Sequence, residues 1–545
     1  MPADTEARRL FAAGASWQDL RDSFVWRVPD RFNIAERCCS SWAQAAPDRT
    51  ALIDVAGDGQ IRNWSYGELE RAANRLALAL GARGIGRGDR VALLLPQGPD
   101  VLIAHFAIGK LGAVALPLFS LFGPDALAFR LSDSGARAAI VEPGSLDKLS
   151  GLDLPDLRVV LSTGPARAPI LSFWDEIGRA GDRHVAAETA AEDPAMLIYT
   201  SGTTGDPKGA LHAQRFLLGH LPVVELAFGG FPQPGDIGWT PADWAWIGGL
   251  MDLALPCLYY GVPLVSHRMR KFDPDAAFDL IGRHRVRALF LPPTALKLMR
   301  QARVPDGVDI RAIGSGGESL GADLLAWGQD RLGAEINEFY GQTECNLVLC
   351  SSQARGVLRP GTIGRAVPGH DVAVIDDAGR ALPPGRTGEI AVRRPDPAMF
   401  LGYWNQPEKT AARFAGDWMR TGDLGVADAD GYVTYVARDD DVITSAGYRI
   451  GPTEIENCLT GDPDVVMAAA VGLPDPVRTE IVTAFVVARD GTAGDALADR
   501  LIRRVAERVS PHLAPRRVVW VTSLPMTATG KIMRRALRAE PPAEG

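Results

Sequence analysis

Short apolar runs alternate with helix-like segments over most of this chain. From about Asp48 onward, RVALLLP is followed by PDVLIAHFAIGKLGA and VALPLF, and RALFLPP is later followed by TALKLMRQA. Such alternation of Val-, Leu- and Ile-rich strands with helices favours layers built on largely parallel sheets. At 545 residues the chain also exceeds the size at which one core stops growing. We therefore expect an α/β fold of layered sheets and helices with at least two domains.

The pattern changes near Arg438. The segment GYVTYVARDDDVITSAGYRIGPTEIENCL predicts two strands around an acidic turn, followed by a helix that starts at Pro452 and Thr453. The runs DVVMAAAVGLP and EIVTAFVVA predict strands, and residues 495–510 place apolar side chains at helical spacing. The sequence thus predicts a large N-terminal domain over residues 1–438 and a small α+β domain over residues 439–545.

Composition argues against several classes of protein. The chain has 58 Lys and Arg against 66 Asp and Glu, and a net charge of −8 does not suggest a nucleic-acid binder. The six cysteines show no CxxC pair or zinc-finger spacing, so we expect a reduced, cytoplasmic protein without structural zinc. The N-terminus has no apolar signal region, and prolines and charged residues interrupt the most apolar tract, so we expect no membrane span.

The stretch YTSGTTGDPKG, residues 199–209, is an unusual glycine-rich loop. It follows the apolar run MLIY, which predicts a buried strand, and it offers backbone N–H groups, hydroxyls and Lys208 to an anion. A phosphate suits such a loop. It differs from the common phosphate loop because Pro207 precedes the lysine and Gly209 follows it. A flexible surface turn with a solvated lysine is the alternative.

Three further stretches carry candidate functional groups. In NEFYGQTE, which GSGGES precedes, Thr343 beside Glu344 suits a magnesium-bound phosphate, with Glu344 as the metal ligand. In WMRTGDLG, Asp423 follows a predicted tight turn and could accept hydrogen bonds from a ribose diol, although an Asx turn is the alternative. In SLPMTATGKIMRR, Lys531 lies on a loop near the C-terminus, where a solvated tail charge is the alternative.

Together, YTSGTTGDPKG, YGQTE, TGD, GYRIGPTEIE and GK resemble the adenylate-forming superfamily, which includes acyl-CoA synthetases, peptide-synthetase adenylation domains and luciferase. The resemblance covers nearly the whole chain. It implies that a carboxylate attacks the α-phosphate of ATP to form an acyl-adenylate and pyrophosphate, after which a thiol displaces AMP. It implies ATP, Mg²⁺ and CoA as cofactors, and a large adenylate-forming domain followed by a small mobile domain.

The resemblance also implies a role for each residue of these stretches. Lys531 bridges the carboxylate and the α-phosphate, Thr343 and Glu344 meet the α-phosphate and Mg²⁺, and Arg449 reaches the phosphates. Thr200 to Lys208 wrap the β- and γ-phosphates, Gly316 to Ser319 and Glu338 to Tyr340 frame the adenine, and Asp423 and Arg438 hold the ribose. The implied nucleotide- and CoA-binding residues are Thr200, Ser201, Gly202, Thr203, Thr204, Gly205, Lys208, Gly316, Gly317, Glu318, Ser319, Glu338, Phe339, Tyr340, Gly341, Gln342, Asp423, Tyr435, Arg438 and Gly447. A hinge at Asp440 swings Lys531 out and brings Gly447 beside a pantetheine tunnel. Plain surface turns are the alternative for the hinge and for Gly447.

The segment GWTPADWAWIGG resembles the acyl-pocket stretch of acetate-type and medium-chain synthetases. The implied substrate residues are Asp243, Trp244, Trp246, Ile247, Gly248 and Gly341, with a plain core role as the alternative for the tryptophans. Acetate-specific members carry a tryptophan directly before the Gln of QTE, where this chain has Gly341. Because a missing floor admits a longer chain, we expect a short- to medium-chain, branched or cyclic acid rather than acetate.

CoA is the predicted thiol because no fused carrier domain is visible in the sequence. An enzyme that loads a separate carrier protein is an alternative, as is a CoA ligase specific for acetate, propionate or an aromatic acid. A nucleotide-binding regulator is disfavoured because Glu344 and Lys531 are both present, and acid-independent ATP hydrolysis because no Walker-type loop is present. The expected partners are therefore small molecules, with no nucleic acid, and a homo-oligomer is an open alternative.

Overall fold

The computed structural model describes residues 5, 7–200, 207–318, 320–438, 441–445, 448–475, 479–511, 513–527 and 530–539. The strands are β1 (Thr50–Val55), β2 (Ile61–Ser65), β3 (Arg90–Leu94), β4 (Val114–Pro117), β5 (Ala138–Val141), β6 (Val159–Ser162), β7 (Leu171–Ser172), β8 (Pro194–Thr200), β9 (Lys208–Ala213), β10 (Gly238–Trp239), β11 (Leu264–Ser266), β12 (Ala288–Phe290), β13 (Ala312–Ser315), β14 (Glu335–Gln342), β15 (Cys345–Cys350), β16 (Gly364–Ala366), β17 (Val372–Ile375), β18 (Thr387–Arg393), β19 (Gly402–Tyr403), β20 (Phe414–Ala415), β21 (Trp418–Ala427), β22 (Tyr432–Arg438), β23 (Ile443–Ser445), β24 (Tyr448–Ile450), β25 (Val465–Asp475), β26 (Thr479–Ala488) and β27 (Arg517–Trp520).

Helices separate many of these strands. The α-helices are α1 (Trp17–Ser23), α2 (Ser41–Ala45), α3 (Tyr66–Gly81), α4 (Pro99–Lys110), α5 (Pro124–Ser134), α6 (Phe173–Arg179), α7 (Phe216–Ala227), α8 (Ile247–Gly249), α9 (Leu255–Tyr260), α10 (Pro274–His284), α11 (Pro293–Met299), α12 (Ala322–Trp327), α13 (Pro407–Ala411), α14 (Pro452–Thr460), α15 (Asp495–Arg508) and α16 (Arg534–Ala539). Three π-helical turns (Glu36–Ser40, Leu250–Ala254 and Gly328–Leu332) and two 3₁₀ turns (Pro143–Leu149 and Gln353–Arg355) complete the described helical segments. No helix among the described residues is both long and apolar enough to cross a bilayer.

Three sheets organise the fold. One has the order β19-β9-β8-β4-β3-β5-β6-β7, and a second has the order β17-β18-β21-β22-β16-β15-β14-β13-β12-β10-β11-β1-β2, with β20 beside β21. The third has the order β24-β23-β26-β25, with β27 beside β26. Helices and sheets together form a mixed α/β fold in which a large N-terminal part is followed by a small C-terminal part.

The predicted strand and helix alternation is confirmed at β3, α4 and β4, and again at β12 and α11. Parallel pairing holds from β8 through β4, β3, β5, β6 and β7, and from β14 through β13 to β1. The expectation of largely parallel sheets is wrong for the other half of the largest sheet. There β14, β15, β16, β22, β21, β18 and β17 pair antiparallel. The links between β14 and β15 and between β21 and β22 are too short to span a parallel crossover.

The third sheet has its own apolar core, in which α14 and α15 pack on β25 and β26. Leu497, Leu501 and Val505 of α15 are buried there, as the helical spacing predicts. The helix predicted at Pro452 is confirmed, but three strands (β22, β23 and β24) precede it where the sequence predicts two. The domain boundary between residues 438 and 439 stays a prediction.

Candidate active site

The glycine-rich stretch connects two antiparallel strands. The predicted strand before it is β8, and Thr200 at its end pairs with Lys208 at the start of β9. Thr200 Oγ1 donates a weak hydrogen bond of 3.4 Å to the backbone oxygen of Lys208. The predicted residues between them, Ser201, Gly202, Thr203, Thr204 and Gly205, lie outside the described residues. The pairing of β8 with β9 therefore places Lys208 beside Thr200, at the end of β8.

Glu344 is buried in the turn between β14 and β15, and one of its oxygens is fixed by a residue distant in sequence. The Tyr403 hydroxyl donates a hydrogen bond to Glu344 Oε1, while Oε2 accepts none from the described residues. Lys208 Nζ lies 5.3 Å from the centre of the Tyr403 ring. A carboxylate held by one oxygen and open at the other suits a hard cation such as Mg²⁺. Thr343 is half-buried beside it.

Cations gather on the same side of the cleft. Burial lowers the pKa of Lys208, and the neighbouring charges of Lys409 and Arg413 lower it further. The Arg413 guanidinium donates to Gln342 Oε1 and, at 3.4 Å, to the backbone oxygen of Thr421. Mutually repelling cations that remain close together provide a favourable field for a polyanion. This cluster and Glu344 thus form a candidate triphosphate and metal subsite.

Asp423 is the centre of a second hydrogen-bonded group. Its Oδ2 accepts from the Tyr340 hydroxyl at 2.6 Å and from Gln342 Nε2 at 3.3 Å, and its Oδ1 lies 3.6 Å from Arg438 Nε. Burial raises the pKa of Asp423, and the charge of Arg438 opposes that shift. The expectation that Asp423 follows a tight turn is wrong, because Asp423 lies within β21. It pairs there with Arg438 of the neighbouring strand β22. Tyr435, another predicted site residue, pairs with Gly425 on the same two strands.

Some of the predicted adenine-binding residues border the cleft, and others have side chains buried in the core. A Cβ at Gly316 would lie 2.5 Å from the Phe339 ring, which is buried and stacks on Phe290 with ring centres 5.5 Å apart. The Phe339 side chain therefore belongs to the core, and its part in adenine binding stays a prediction. Glu338 is buried as well, and this burial raises its pKa to about 8. Glu318 Oε2 accepts from Thr294 at 3.2 Å, and its buried Oε1 lacks a hydrogen-bond partner in the described structure.

Lys531 approaches this cleft from the C-terminal part of the chain. The Thr527 N–H donates to the Lys531 carbonyl oxygen at 2.8 Å, which fixes the lysine backbone. A Cβ at Gly317 would lie 3.7 Å from Lys531 Cε and 3.5 Å from the Trp246 ring. Burial lowers the pKa of Lys531, as does the charge of Arg438, whereas Asp423, Glu318 and Glu344 raise it. The ammonium group therefore lies within electrostatic reach of both subsites described above.

The two tryptophans of the predicted acyl stretch have different environments. Trp246 is half-buried and packs on Phe290 with ring centres 5.5 Å apart, so it borders the cleft beside Gly317. Trp244 is fully buried in the core, which favours the plain core role given above as the alternative. Asp243 Oδ1 accepts from the Ala245 N–H at 2.8 Å and shapes this turn. Ile247 and Gly248 are buried at the start of α8.

Gly341 does not leave empty space along its own Cβ direction. A Cβ there would lie 2.7 Å from Asn346 Oδ1 and 3.0 Å from the backbone oxygen of Cys345. The space that a side chain at position 341 would need is therefore taken up by Asn346 and the backbone of Cys345.

Four predicted residues cannot be placed with the others. Ser319, Asp440 and Gly447 lie outside the described residues. For Arg449 only the backbone is described, and it pairs with Thr444 between β23 and β24.

Sequence reasoning missed Tyr403, Lys409 and Arg413. They lie in the segment GYWNQPEKTAARF, which contains no glycine-rich loop or paired carboxylates, and only the packing of β19 against β9 brings it to Lys208. No local pattern in the sequence marks these residues as part of a site.

We predict that Tyr403→Phe raises the Mg²⁺ concentration needed for half-maximal activity by about tenfold, because loss of one hydrogen bond that orients a metal ligand weakens metal binding about 10- to 100-fold. A magnesium titration of steady-state turnover measures this. Tyr432→Phe, on a tyrosine in β22 away from Glu344, is the matched control. An unchanged magnesium requirement in Tyr403→Phe would rule out this role for the hydroxyl.

Comparison with known proteins gives a consistent result. A family model described as AMP-binding enzyme matches residues 39–404, and one described as AMP-binding enzyme C-terminal domain matches residues 454–531. The Homo sapiens protein named acyl-coenzyme A synthetase ACSM4, mitochondrial, is 34% identical over 535 residues, which cover 94% of this chain and 91% of the human protein.

Two solved structures are similar along nearly the whole chain. The anthranilate CoA ligase AuaEII in complex with anthranoyl-AMP has a TM-score of 0.86 at 28% identity, covering 94% of this chain and 97% of that one. A benzoate CoA ligase from Burkholderia xenovorans LB400 has a TM-score of 0.83 at 29% identity, covering 93% of this chain and 100% of that one.

Proposed function

This chain belongs to the AMP-binding enzyme family, and from that premise we propose that it is an acyl-CoA synthetase that joins a short- to medium-chain carboxylic acid to CoA. The reaction runs through an acyl-adenylate and releases pyrophosphate and AMP. Enzymes of this family use ATP, Mg²⁺ and CoA. The observation that carries the proposal is the position of Lys531, whose pKa responds to Arg438, Asp423, Glu318 and Glu344 together.

The first half-reaction brings two anions together, so the chain must supply positive charge and alignment. Lys208, Lys409 and Arg413 form a cationic wall for the β- and γ-phosphates. Glu344, with Oε2 open, fits the metal, which when bound would neutralise phosphate charge. Lys531 then donates hydrogen bonds to the acid carboxylate and to the α-phosphate, which holds them for in-line attack.

Asp423 positions the nucleotide sugar. Tyr340 and Gln342 donate to one carboxylate oxygen, and Arg438 lies beside the other, so the group is held rigidly enough to accept hydrogen bonds from a ribose diol. Arg438 opposes the effect of burial on the pKa of Asp423, which favours the charged form that such acceptance requires.

For the second half-reaction we propose that the small domain, residues 439–545, rotates about Asp440. This would remove Lys531 from the cleft and bring Gly447 beside the CoA thiol. The separate sheet β24-β23-β26-β25 and its own apolar core support this division, because a unit with its own core can move as a body.

We also propose a cytoplasmic location. Cys38, Cys39, Cys257, Cys345, Cys350 and Cys458 are all free thiols, and all but Cys458 are buried. Free thiols without any disulfide suit a reducing compartment. Fractionation of the cells that produce the protein would test the location.

The function is tested by AMP release with ATP, Mg²⁺ and CoA over straight-chain acids from acetate to decanoate, together with isobutyrate, benzoate and cyclohexanecarboxylate. We expect acid-dependent AMP and acyl-CoA, with kcat/KM highest for an acid larger than acetate. AMP formation without acyl-CoA would point to a carrier-protein acceptor instead. Absence of acid-dependent AMP with every acid would contradict the proposal.

A further inference from the structure

Three buried polar side chains meet behind Gly341. Asn346 Nδ2 donates to Asp252 Oδ1 at 2.7 Å and to His220 Nε2 at 3.0 Å. The exposed fractions are 4% for Asn346, 3% for Asp252 and 0% for His220. Polar groups are buried this deeply only when hydrogen bonds or a ligand compensate for lost water. We call Asp252, Asn346 and His220 the polar triad.

The triad borders the proposed acyl pocket. Asn346 Oδ1 lies 2.7 Å from the position of a Cβ on Gly341, and the neighbours of Gly341, Tyr340 and Gln342, both bind Asp423. Asp252 lies in the π-helical turn Leu250–Ala254, which directly continues α8 after Trp246. Single π-helical turns inside helices are frequent at functional sites. The triad thus lies next to Gly341 and in the same helical segment as Ile247 and Gly248, all predicted acyl-binding residues.

Two side-chain oxygens of the triad take no part in its hydrogen bonds. His220 Nδ1 donates to the Phe216 carbonyl oxygen at 2.8 Å, so its Nε2 accepts from Asn346, and both Asn346 amide hydrogens are then in use. Asn346 Oδ1 and Asp252 Oδ2 accept no hydrogen bond from any described residue. Some side-chain oxygens and nitrogens of the described structure are both fully buried and without a hydrogen-bond partner. Asn346 Oδ1 and Asp252 Oδ2 are not among them, so neither atom is sealed off. These two oxygens, on side chains joined by a hydrogen bond, form a candidate recognition site.

The charge state of the triad limits what can bind there. Burial raises the pKa of Asp252 well above its usual range, which favours the protonated carboxyl group, and lowers the pKa of His220 to about 3, which favours the neutral imidazole. Because Asp252 Oδ1 accepts from Asn346, Oδ2 is the oxygen that donates in the protonated form, while Asn346 Oδ1 accepts. A hydroxyl group can satisfy both at once. A second carboxylate would meet no cation from the triad, and an alkyl terminus would leave both groups unpaired.

We infer that this enzyme selects a carboxylic acid that bears a hydroxyl group at the end away from its carboxylate, with Asp252 and Asn346 as the specificity-determining residues. This inference rests on the proposed acyl-CoA synthetase function. The substrate hydroxyl donates to Asn346 Oδ1 and accepts from Asp252 Oδ2, and His220 positions the Asn346 amide. A site that hydrogen-bonds a substrate hydroxyl rejects the analogue without it, because its own polar groups are then left unpaired.

The test compares matched pairs of acids in acid-dependent AMP release: hexanoate with 6-hydroxyhexanoate, octanoate with 8-hydroxyoctanoate, and benzoate with 3- and 4-hydroxybenzoate. We expect at least one hydroxy acid to exceed its plain partner in kcat/KM by about 10- to 100-fold. In Asn346→Leu and Asp252→Leu that ratio should fall to about one or below. Asp252→Asn, which keeps a donor, should restore part of the preference.

Asn74→Leu is the matched control, since Asn74 is a buried asparagine of α3 whose Nδ2 donates to the Asp182 carbonyl oxygen. It should leave the hydroxy preference unchanged. The ratio is measured on each folded variant, so loss of yield does not alter it, and Asn346→Ser is a smaller change if the leucine variant does not fold.

The outcomes distinguish failure of this inference from failure of the proposed acyl-CoA synthetase function. Turnover of plain acids with no hydroxy preference in the wild type would overturn the inference and leave the synthetase intact. A preference that survives Asn346→Leu and Asp252→Leu would also overturn it. Absence of acid-dependent AMP with every plain and hydroxylated acid would overturn both.

Discussion

Lys531→Ala should lower the rate of acyl-adenylate formation by about 10²- to 10³-fold, the size expected when one preorganised donor to a developing charge is removed. The charge of Arg438 lowers the pKa of Lys531, and the charges of Asp423, Glu318 and Glu344 raise it, so the ammonium group lies close to all four. We propose that it joins the acid to the α-phosphate. Acid-dependent exchange of pyrophosphate into ATP measures this step without CoA.

The second half-reaction is the internal control for this variant. If the small domain rotates and removes Lys531 from the cleft, Lys531→Ala should convert a supplied acyl-adenylate and CoA to acyl-CoA at close to the wild-type rate. Lys271→Ala, on an exposed lysine of the large domain, should leave both half-reactions unchanged. Equal loss in both half-reactions would contradict the proposed alternation of domains.

The same lysine sets an expectation for pH. Lys531 must be protonated to donate to two anions, so adenylation should fall as pH rises through its pKa. Burial and Arg438 lower that pKa, so the alkaline limb should lie below the range of an ordinary lysine. A pyrophosphate-exchange profile from pH 6 to 11 with a limb at the usual lysine value would contradict the lowered pKa of Lys531.

Sequence patterns predicted the parts of the fold that depend on local periodicity. The strands and helix from Arg90 to Pro117 and the helix at Asp495 were predictable because buried faces impose regular spacing of apolar residues. The antiparallel half of the largest sheet was not anticipated, although its signal was present. Only Thr343 and Glu344 separate β14 from β15, and so short a link forces an antiparallel pair.

The site was predictable where a motif is contiguous, and not where tertiary packing assembles it. Lys208, Glu344, Asp423 and Lys531 each stand in a distinctive stretch, and the structure brings Lys531 near two of the others. Tyr403 comes close to Glu344 only because β19 pairs with β9. The different environments of Trp244 and Trp246 depend on how one turn packs, which their spacing alone does not determine.

Stability outside the site depends on a buried ion pair that joins three helical segments. Lys110, at the end of α4, donates to Ser40 Oγ at 2.8 Å and to Glu70 Oε1 of α3 at 2.7 Å. Ser40 Oγ in turn donates to Glu70 Oε2 at 2.9 Å. The side chain of Lys110 is 2% exposed and that of Glu70 is 19% exposed. Because its ammonium group is almost fully removed from water, Lys110 depends on its carboxylate partner.

Glu70→Ala should therefore lower the free energy of unfolding of the large domain by about 3 kcal/mol, because it leaves a buried charge without its partner. Urea unfolding measured by pulse proteolysis tests this. Glu188→Ala, which breaks the Arg31–Glu188 pair with side chains 72% and 74% exposed, should change that free energy by less than about 1 kcal/mol. Adding Lys110→Met to Glu70→Leu should recover most of the loss, because an apolar pair of similar volume needs no charge compensation. If Glu70→Ala alone matched the surface variant, the Lys110 ammonium group would have to be solvated, and the three segments would not depend on this pair.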